Sequence, residues 1–254
     1  MVKILILRTA GTNCDLETEW TCKVCGADVS RVHIREIISG KKKILDFDVL
    51  IIPGGFSYGD DLGAGKVLAN EIMLKCNEQI ERFRERKRPI IGICNGFQVL
   101  VKGKMLPFWN KHTASLVWND SGRFEDRWVF LRVEKSVSPF FKNLQEIVRF
   151  PVAHAEGKFV LKNEVSLKKI EKNRQVILRY VDPSGEIASY PYNPNGSIAG
   201  IAGVCDETGL VIGMMPHPER AALGIHPPDW HRYYKKDEFY SGYQFFKNVI
   251  EYCS

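Results

Sequence analysis

The stretch Pro89-Ile90-Ile91-Gly92-Ile93-Cys94-Asn95-Gly96-Phe97-Gln98-Val99-Leu100-Val101 decides how the chain is read. Pro89 opens a short apolar run, Ile90 to Ile93, of the length of a buried strand. The run ends in Gly92-Ile93-Cys94-Asn95-Gly96, and an apolar segment of helical character follows. Glycines two residues before and two after a nucleophile are the sequence form of a nucleophile elbow. There a tight strand-to-helix turn lifts one side chain into open space. The nucleophile in this position is Cys94. A free cysteine has a pKa of about 8.5, so little of it is thiolate at neutral pH. At a helix start the sulfur feels roughly half a positive charge from unpaired amides, which favours the anion. The N–H of Asn95 points where an oxyanion would form. The competing reading, a small buried hydrophobe, is open to any intracellular cysteine.

Outward from the elbow, the first half alternates strand and helix. Residues 2–8 read as an apolar strand and Thr9 to Asn13 as a turn. A helix follows, with Thr12 and Asp15 in capping-box spacing and Gly26 past its end. Val29 to Ile34 is a second strand; Asp48 to Ile52 is a third, running into Pro53-Gly54-Gly55-Phe56-Ser57-Tyr58-Gly59-Asp60. Lys66 to Arg86 reads as one long helix. The pattern predicts an α/β fold: an open, mostly parallel sheet covered by helices on both faces, with ligands beyond the carboxyl ends of the strands. After about residue 110 the texture changes to short β-like runs, at Val117-Trp118, Trp128–Val133, Val148–Phe150, Val176–Val181 and Ile198–Val204. This predicts an additional antiparallel, strand-rich portion. Leu210 to Met215 is a last strand, and Ser241 to Tyr252 a closing amphipathic helix. No Pro/Gly/Ser linker interrupts the chain, so 1–254 reads as a single domain with an extension from about 224.

The chain has 254 residues, 44% of them hydrophobic and 26% charged, an ordinary balance for a soluble globular protein. No run approaches ~18 uninterrupted apolar residues, and the N-terminus lacks a signal-peptide cleavage site, so a cytoplasmic protein without a membrane span is expected. Seven cysteines without regular spacing argue against a disulfide framework. Cys22-x-x-Cys25 lacks a second Cys/His pair at ligand spacing and reads as structural. The net charge of +6 concentrates at Lys41-Lys42-Lys43 and from Arg82 to Arg88. In the latter, Glu81 and Glu85 alternate with the bases, the mark of a solvated face rather than a nucleic-acid stripe.

Cys94 needs a base. Of six histidines, His217 stands apart: it follows an apolar strand, and Pro216 and Pro218 disfavour helix and hold it extended. In an extended segment residues i and i+2 point the same way, so Glu219 sits beside His217 and fixes its tautomer. This is nucleophile, base and orienter in the order Cys, His, Glu. The second oxyanion donor is expected from Gly54-Gly55 after the third strand, where only glycine allows close backbone approach.

Gly92-Ile93-Cys94-Asn95-Gly96-Phe97-Gln98 together with Pro216-His217-Pro218-Glu219 resembles the class I (triad) glutamine amidotransferases. Gly11-Thr12-Asn13-Cys14-Asp15, the Pro53–Asp60 loop, Asn119-Asp120-Ser121-Gly122-Arg123-Phe124-Glu125, His154-Ala155-Glu156-Gly157 and Met215–Arg220 narrow the resemblance. It is to the glutaminase subunits of phosphoribosylformylglycinamidine synthase in purine biosynthesis, over residues 2 to about 222. The resemblance implies that Cys94 attacks the side-chain amide of glutamine and carries a γ-glutamyl thioester, with His217 and Glu219 completing the triad. It places the oxyanion hole at the amides of Gly55 and Asn95. Gln98, Asn119, Ser121, Arg123 and Phe124 are the expected glutamine-binding residues; Arg123 would offer a fork to the carboxylate. Ammonia would then pass through a tunnel to a synthetase subunit, with a small accessory subunit as a further partner. ATP and magnesium are expected on that synthetase: this chain has no Gly-x-x-x-x-Gly-Lys-[Ser/Thr] loop, and neither a cofactor nor a metal is expected in it. The alternatives are a free-standing cysteine hydrolase or γ-glutamyl peptidase on the same fold, and a scaffold subunit with inactive catalytic remnants. Asn95, at a position where a related peptidase family carries histidine, argues against the peptidase. The region 163–175 and the tail from Gly224 exceed compact family members, and are expected either to dock the partner or to complete the fold.

Overall fold

The computed structural model describes residues 1–233, 235 and 238–254. In chain order the elements are β1 (Lys3–Arg8), α1 (Asp15–Val24), β2 (Asp28–His33), α2 (Ile34–Ile38), β3 (Val49–Ile52), α3 (Lys66–Glu71), α4 (Asn77–Glu85), β4 (Ile90–Ile93) and α5 (Asn95–Lys102). The second half adds β5 (Ala114–Val117), β6 (Glu125–Val133), β7 (Ile147–His154), β8 (Lys158–Leu161), α6 (Glu164–Lys172), β9 (Val176–Val181), β10 (Ile201–Cys205), β11 (Val211–Met214), α7 (Trp230–Tyr233) and α8 (Ser241–Tyr252).

One nine-stranded sheet runs in the order β2-β1-β3-β4-β11-β10-β9-β6-β7. The pairs from β2 to β11 are parallel, and those from β11 to β7 antiparallel. The strand-rich second half is therefore not a separate body: it extends the parallel sheet edge to edge. A small antiparallel pair, β5-β8, lies apart from it. Every residue of β3, β4 and β11 is buried, as continuous apolar runs in the middle of a covered sheet require.

Several local expectations are corrected. The span 66–86 is not one α-helix: a π segment at Ile72–Cys76 separates α3 from α4. The widened turn keeps Ile72 and Cys76 buried while α4 still presents Ile80 and Phe83 to the core. Thr12 does not cap α1, whose N-cap is Cys14 with no side-chain bond. Thr12 is drawn into a bridge with Gly55, and its Oγ1 accepts from Thr9 N at 3.1 Å. The short helix α2 directly after β2 carries no pattern long enough to announce it; His33 Nδ1 caps it, accepting from Arg35 N at 3.2 Å. The polar region 163–175 forms α6, started by Asn163 Oδ1 accepting from Ser166 N at 2.9 Å. The closing helix spans the residues expected of it, Ser241–Tyr252. It completes the fold around the turn after β11: a Cβ on Gly242 would stand 2.0 Å from Pro218 O and 2.5 Å from Ala221 O.

Candidate active site

β4 and β11 lie side by side in parallel register, with Gly92 opposite Gly213 and Ile93 opposite Met214. Whatever follows each strand therefore emerges at the same edge of the sheet. Cys94 follows β4 and His217 follows β11. Cys94 N donates to Met214 O at 2.8 Å, so the elbow is tied to the neighbouring strand. Cys94 has φ 50° and ψ −104°, a backbone that a residue with a side chain adopts only when its surroundings force it. Its carbonyl accepts from Gln98 N at 3.1 Å and starts α5. Gly96 lets that helix lie against the sheet: a Cβ there would be 1.8 Å from Ile52 O. The sulfur thus sits at the N-terminus of an eight-residue helix whose first seven residues are buried.

His217 is 1% exposed and Glu219 1%. His217 Nδ1–H donates to Glu219 Oε1 at 2.6 Å, a short charge-assisted bond. The pairing is made differently from the expectation. His217 is extended, with φ −104° and ψ 90°, but Pro218 begins a tight 3-10 turn, Pro218–Ala221, and Glu219 lies within that turn. Proline suits the first position of a turn because its missing N–H would have no partner there. Thr21 Oγ1, from α1, donates to Glu219 O at 3.2 Å and holds the turn from beneath. Burial opposes a charge on His217, but the Glu219 carboxylate, followed by the two nearby thiols of Cys94 and Cys14, outweighs it and raises its pKa well above the ordinary value. The imidazole is therefore charged at neutral pH, with Nε2 as its free edge: among the described residues that atom has no hydrogen-bond partner.

Gly55 has φ 138°, and a Cβ on it would meet Gly11 O at 2.7 Å and Asn13 N at 2.8 Å. Glycine is thus obligatory where the β3 loop passes the loop after β1. Gly55, Phe56, Cys94, Phe124 and His217 line a cavity of about 200 Å³. A second, of about 260 Å³, shares Gly55, Phe56, Cys94 and Ala153 and extends to Asp60, Gln98, Trp118, His154 and Glu156. The site is the stretch of cleft on either side of the sulfur.

The structure sorts the expected glutamine-binding residues into groups. Gln98 lines the second cavity, but its side chain is engaged: Oε1 accepts from Asn95 Nδ2 at 2.9 Å and Nε2 donates to Glu156 O at 2.7 Å. Asn95 is fixed further by Ser57 N and Asp60 Oδ1. Asn119 is buried and fully used. Its Nδ2 donates to Arg123 O and His154 O, and its Oδ1 accepts from His154 Nδ1 and Gly157 N. Ser121 and Arg123 line neither cavity at Cys94; they border a wide groove of about 800 Å³ with Asp120 and Tyr190. The chain reverses at Asn119–Gly122, where Gly122 N donates to Asn119 O at 2.9 Å, so 121 and 123 face outward and Phe124 returns to the cleft. Sequence reasoning assigned no role to Cys14, Asp60, Arg220 or His154, all of which the structure brings to the cleft or its wall. Each lay in a motif quoted above or beside one, but spacing alone does not reveal that the loop after β1 reaches across to β11.

Comparison with known proteins gives the family. Residues 1–253 match the model of the CobB/CobQ-like glutamine amidotransferase domain. The chain belongs to this family. The amidotransferase is 44% identical over 255 residues to phosphoribosylformylglycinamidine synthase subunit PurQ of Dehalococcoides mccartyi, covering 99% of this chain and 98% of the relative. The PurQ subunit of Archaeoglobus fulgidus is 39% identical over 268 residues, with 99% and 97% covered. In three dimensions a chain of the PurLQS structure from Thermotoga maritima superposes with a TM-score of 0.76 at 32% identity, covering 100% of this chain and 99% of that one.

Proposed function

We propose that this amidotransferase is the glutaminase subunit of phosphoribosylformylglycinamidine synthase. It hydrolyses glutamine to glutamate and ammonia and delivers the ammonia to a synthetase subunit that makes formylglycinamidine ribonucleotide. The observation that carries the reading is a strained Cys94 on a helix N-terminus, brought beside a buried His217–Glu219 pair by two adjacent parallel strands. The identity with subunits of that name runs from end to end of the chain and supports the substrate and the pathway.

The chemistry follows from charge. The Cys94 thiolate attacks the glutamine side-chain carbonyl, and the C=O electrons move onto oxygen, where the N–H groups of Gly55 and Asn95 would receive them. His217 Nε2–H protonates the leaving nitrogen, the C–N bond breaks, and a thioester and ammonia remain. His217, now neutral and held by Glu219, takes a proton from water, whose oxygen displaces the sulfur as glutamate forms. Phe56 and Phe124, with ring centroids 6.3 Å apart, flank the cleft beside Cys94. ATP and magnesium act on the synthetase, and a small accessory subunit completes the assembly.

The test is glutamine hydrolysis by the chain alone and with the synthetase, ATP and acceptor nucleotide. Strong stimulation by the partner is expected, and Cys94→Ala should abolish glutamine-dependent synthesis while added ammonia still supports it. Vigorous hydrolysis indifferent to the partner, or equal loss of both syntheses in the variant, would overturn the reading in favour of a free-standing hydrolase.

A further inference from the structure

The cavity of about 260 Å³ beyond Cys94 is lined by Asp60, Glu156 and His154 but, among the described residues, by no lysine or arginine. Asp60 Oδ1 accepts from Gly65 N and from Asn95 Nδ2, both at 3.1 Å, which leaves Oδ2 free. Asn95 directly follows the nucleophile, so this carboxylate is one hydrogen bond away from the elbow. The loop after β3 bends sharply to bring it there: Tyr58 and Asp60, with φ of 57° and 56°, both lie in the left-handed region. Glu156 is answered by Lys102, whose Nζ stands 3.4 Å from Oε2 and also donates to Ala64 O at 2.6 Å. Two carboxylates thus share one lysine, and the cavity is short of one positive charge. Burial raises the pKa of Asp60 above its ordinary value and the neighbouring Glu156 adds to the rise, so a cation brought against Oδ2 would relieve both. His154 points to a ligand independently. It is 2% exposed, its Nδ1–H is spent on Asn119 Oδ1, and its buried Nε2 is a lone pair with no partner among the described residues.

We propose that the missing charge is the α-ammonium of the substrate, received by Asp60 Oδ2, and that Asp60 thereby selects an α-amino acid amide over the same amide without its amino group. The inference rests on the proposed reading of Cys94 as a glutaminase nucleophile. Glutamine brings N–H groups at both of its ends, the ammonium and the carboxamide, to a wall whose unpaired side-chain atoms are acceptors. The ammonium pairs with Asp60 in a charge-assisted bond, roughly twice as strong as a neutral one. The carboxamide belongs at Cys94, and His154 lies close enough to that centre for the charge on His217 to act on it. Phe56, Trp118 and Ala153 on the same wall offer apolar surface to the methylenes between. An amide that lacks the α-amino group would leave the excess carboxylate facing the cavity unpaired, and a site built for a substrate N–H rejects such an analogue strongly. Asp60 is in this account a residue of substrate selection; it takes no part in bond breaking.

The test compares glutamine with glutaramate, the same amide lacking only the α-amino group, in the complex of the full-length chain with the synthetase, ATP and acceptor nucleotide. Release of glutamate or of glutarate is measured. The parent should prefer glutamine in kcat/KM by at least about 10³-fold, toward the 10⁴–10⁵-fold that a missing substrate N–H can cost. Asp60→Asn keeps an oxygen for Gly65 N and Asn95 Nδ2 but removes the charge. It should lower the preference by about 30-fold or more, mainly through a higher KM for glutamine. Asp61→Asn, at the exposed neighbouring position, should leave the preference unchanged. If Asp60 served only to shape the loop, both substrates would lose activity together and the ratio would hold. A parent that turns over both amides equally, or an Asp60→Asn variant with undiminished preference, would overturn the proposal; the first result needs no variant to fold. A complex that hydrolyses no glutamine would overturn the proposed function and this inference with it, whereas a glutaminase indifferent to the α-amino group would overturn this inference alone.

Discussion

Lowering the pH from 7 to 5 should cost this protein about 2 kcal/mol through a single residue, His154. The side chain is 2% exposed, on the wall of the cleft beyond Cys94. Its Nδ1–H donates to Asn119 Oδ1 at 3.1 Å, and Nε2 is buried without a partner among the described residues. Burial first, and then the charge on His217, pushes its pKa from the ordinary 6.5 down to about 3. In the folded chain it stays neutral; in the unfolded chain it takes a proton below about 6.5. The unfolded state therefore binds one more proton throughout that window, and stability falls with pH at about 1.4 kcal/mol per unit. By pH 5 the loss is about 2 kcal/mol, and near pH 3 it reaches about 4 kcal/mol. His217 does not confound the measurement. Its folded pKa is raised, so its contribution is fully present below about 6.5, declines as pH rises from there to the raised value, and is common to parent and variant, so it cancels in the comparison. The assay is urea unfolding at pH 7 and pH 5 on the unaltered chain and on His154→Gln, whose amide can still donate to Asn119. Carboxylates titrate alike in both proteins, so the difference in pH dependence isolates His154. The variant should lose about 2 kcal/mol less than the parent over this interval. Equal losses, within about 0.5 kcal/mol, would refute the account, since no proton would then be linked to His154.

Three further perturbations address the catalytic frame. Glu219→Gln leaves the shape intact but no longer enforces the tautomer. Glutamine-dependent turnover should fall by about 10³–10⁴-fold, as in other triads deprived of their carboxylate, while ammonia-dependent synthesis by the complex is unchanged; a loss under about tenfold would remove Glu219 from its role. Gly242→Ala drives a methyl into Pro218 O, 2.0 Å away. It should cost about 1–3 kcal/mol in denaturant unfolding and lower kcat more than it raises KM, because the Pro218–Ala221 turn carries Glu219. Gly96→Ala, whose Cβ would stand 1.8 Å from Ile52 O, should separate α5 from β3 and yield little soluble protein; a soluble variant with normal kcat would show that the close approach is dispensable.

Much of this was legible before any coordinates. Elbow glycines, apolar strands and the Pro-His-Pro-Glu stretch are local signals, because each element's pattern reflects its own burial. Cys94, His217 and Glu219 could be named on that basis. What escaped was set by contacts between distant segments. Thr12 looks like a cap until the loop from β3 pairs with it at Gly55. Arg123 looks like a carboxylate fork until the reversal at Asn119–Gly122 turns it outward. Asn119 looks like a ligand until its whole hydrogen-bonding capacity is counted and found spent on His154, Arg123 and Gly157.

The position of β11 explains why the site needs the whole chain. This strand is parallel to β4 on one side and antiparallel to β10 on the other. Its parallel neighbour supplies the nucleophile at the shared edge, because parallel strands end together. Its other side leads into the antiparallel extension, where β7 reaches the same edge; there Pro151 O accepts from His217 N at 2.9 Å, and Ala153 O lies 3.5 Å from Cys94 Sγ. α1 and α8 then brace the Pro218–Ala221 turn, through Thr21 and through Gly242. The triad is thus held by one element from near the N-terminus, two central strands, the extension and the last helix. Removing α8 should therefore disable the chemistry although none of its residues touches the cleft, and a truncation ending before Ser241 that retained full turnover in the complex would contradict that dependence.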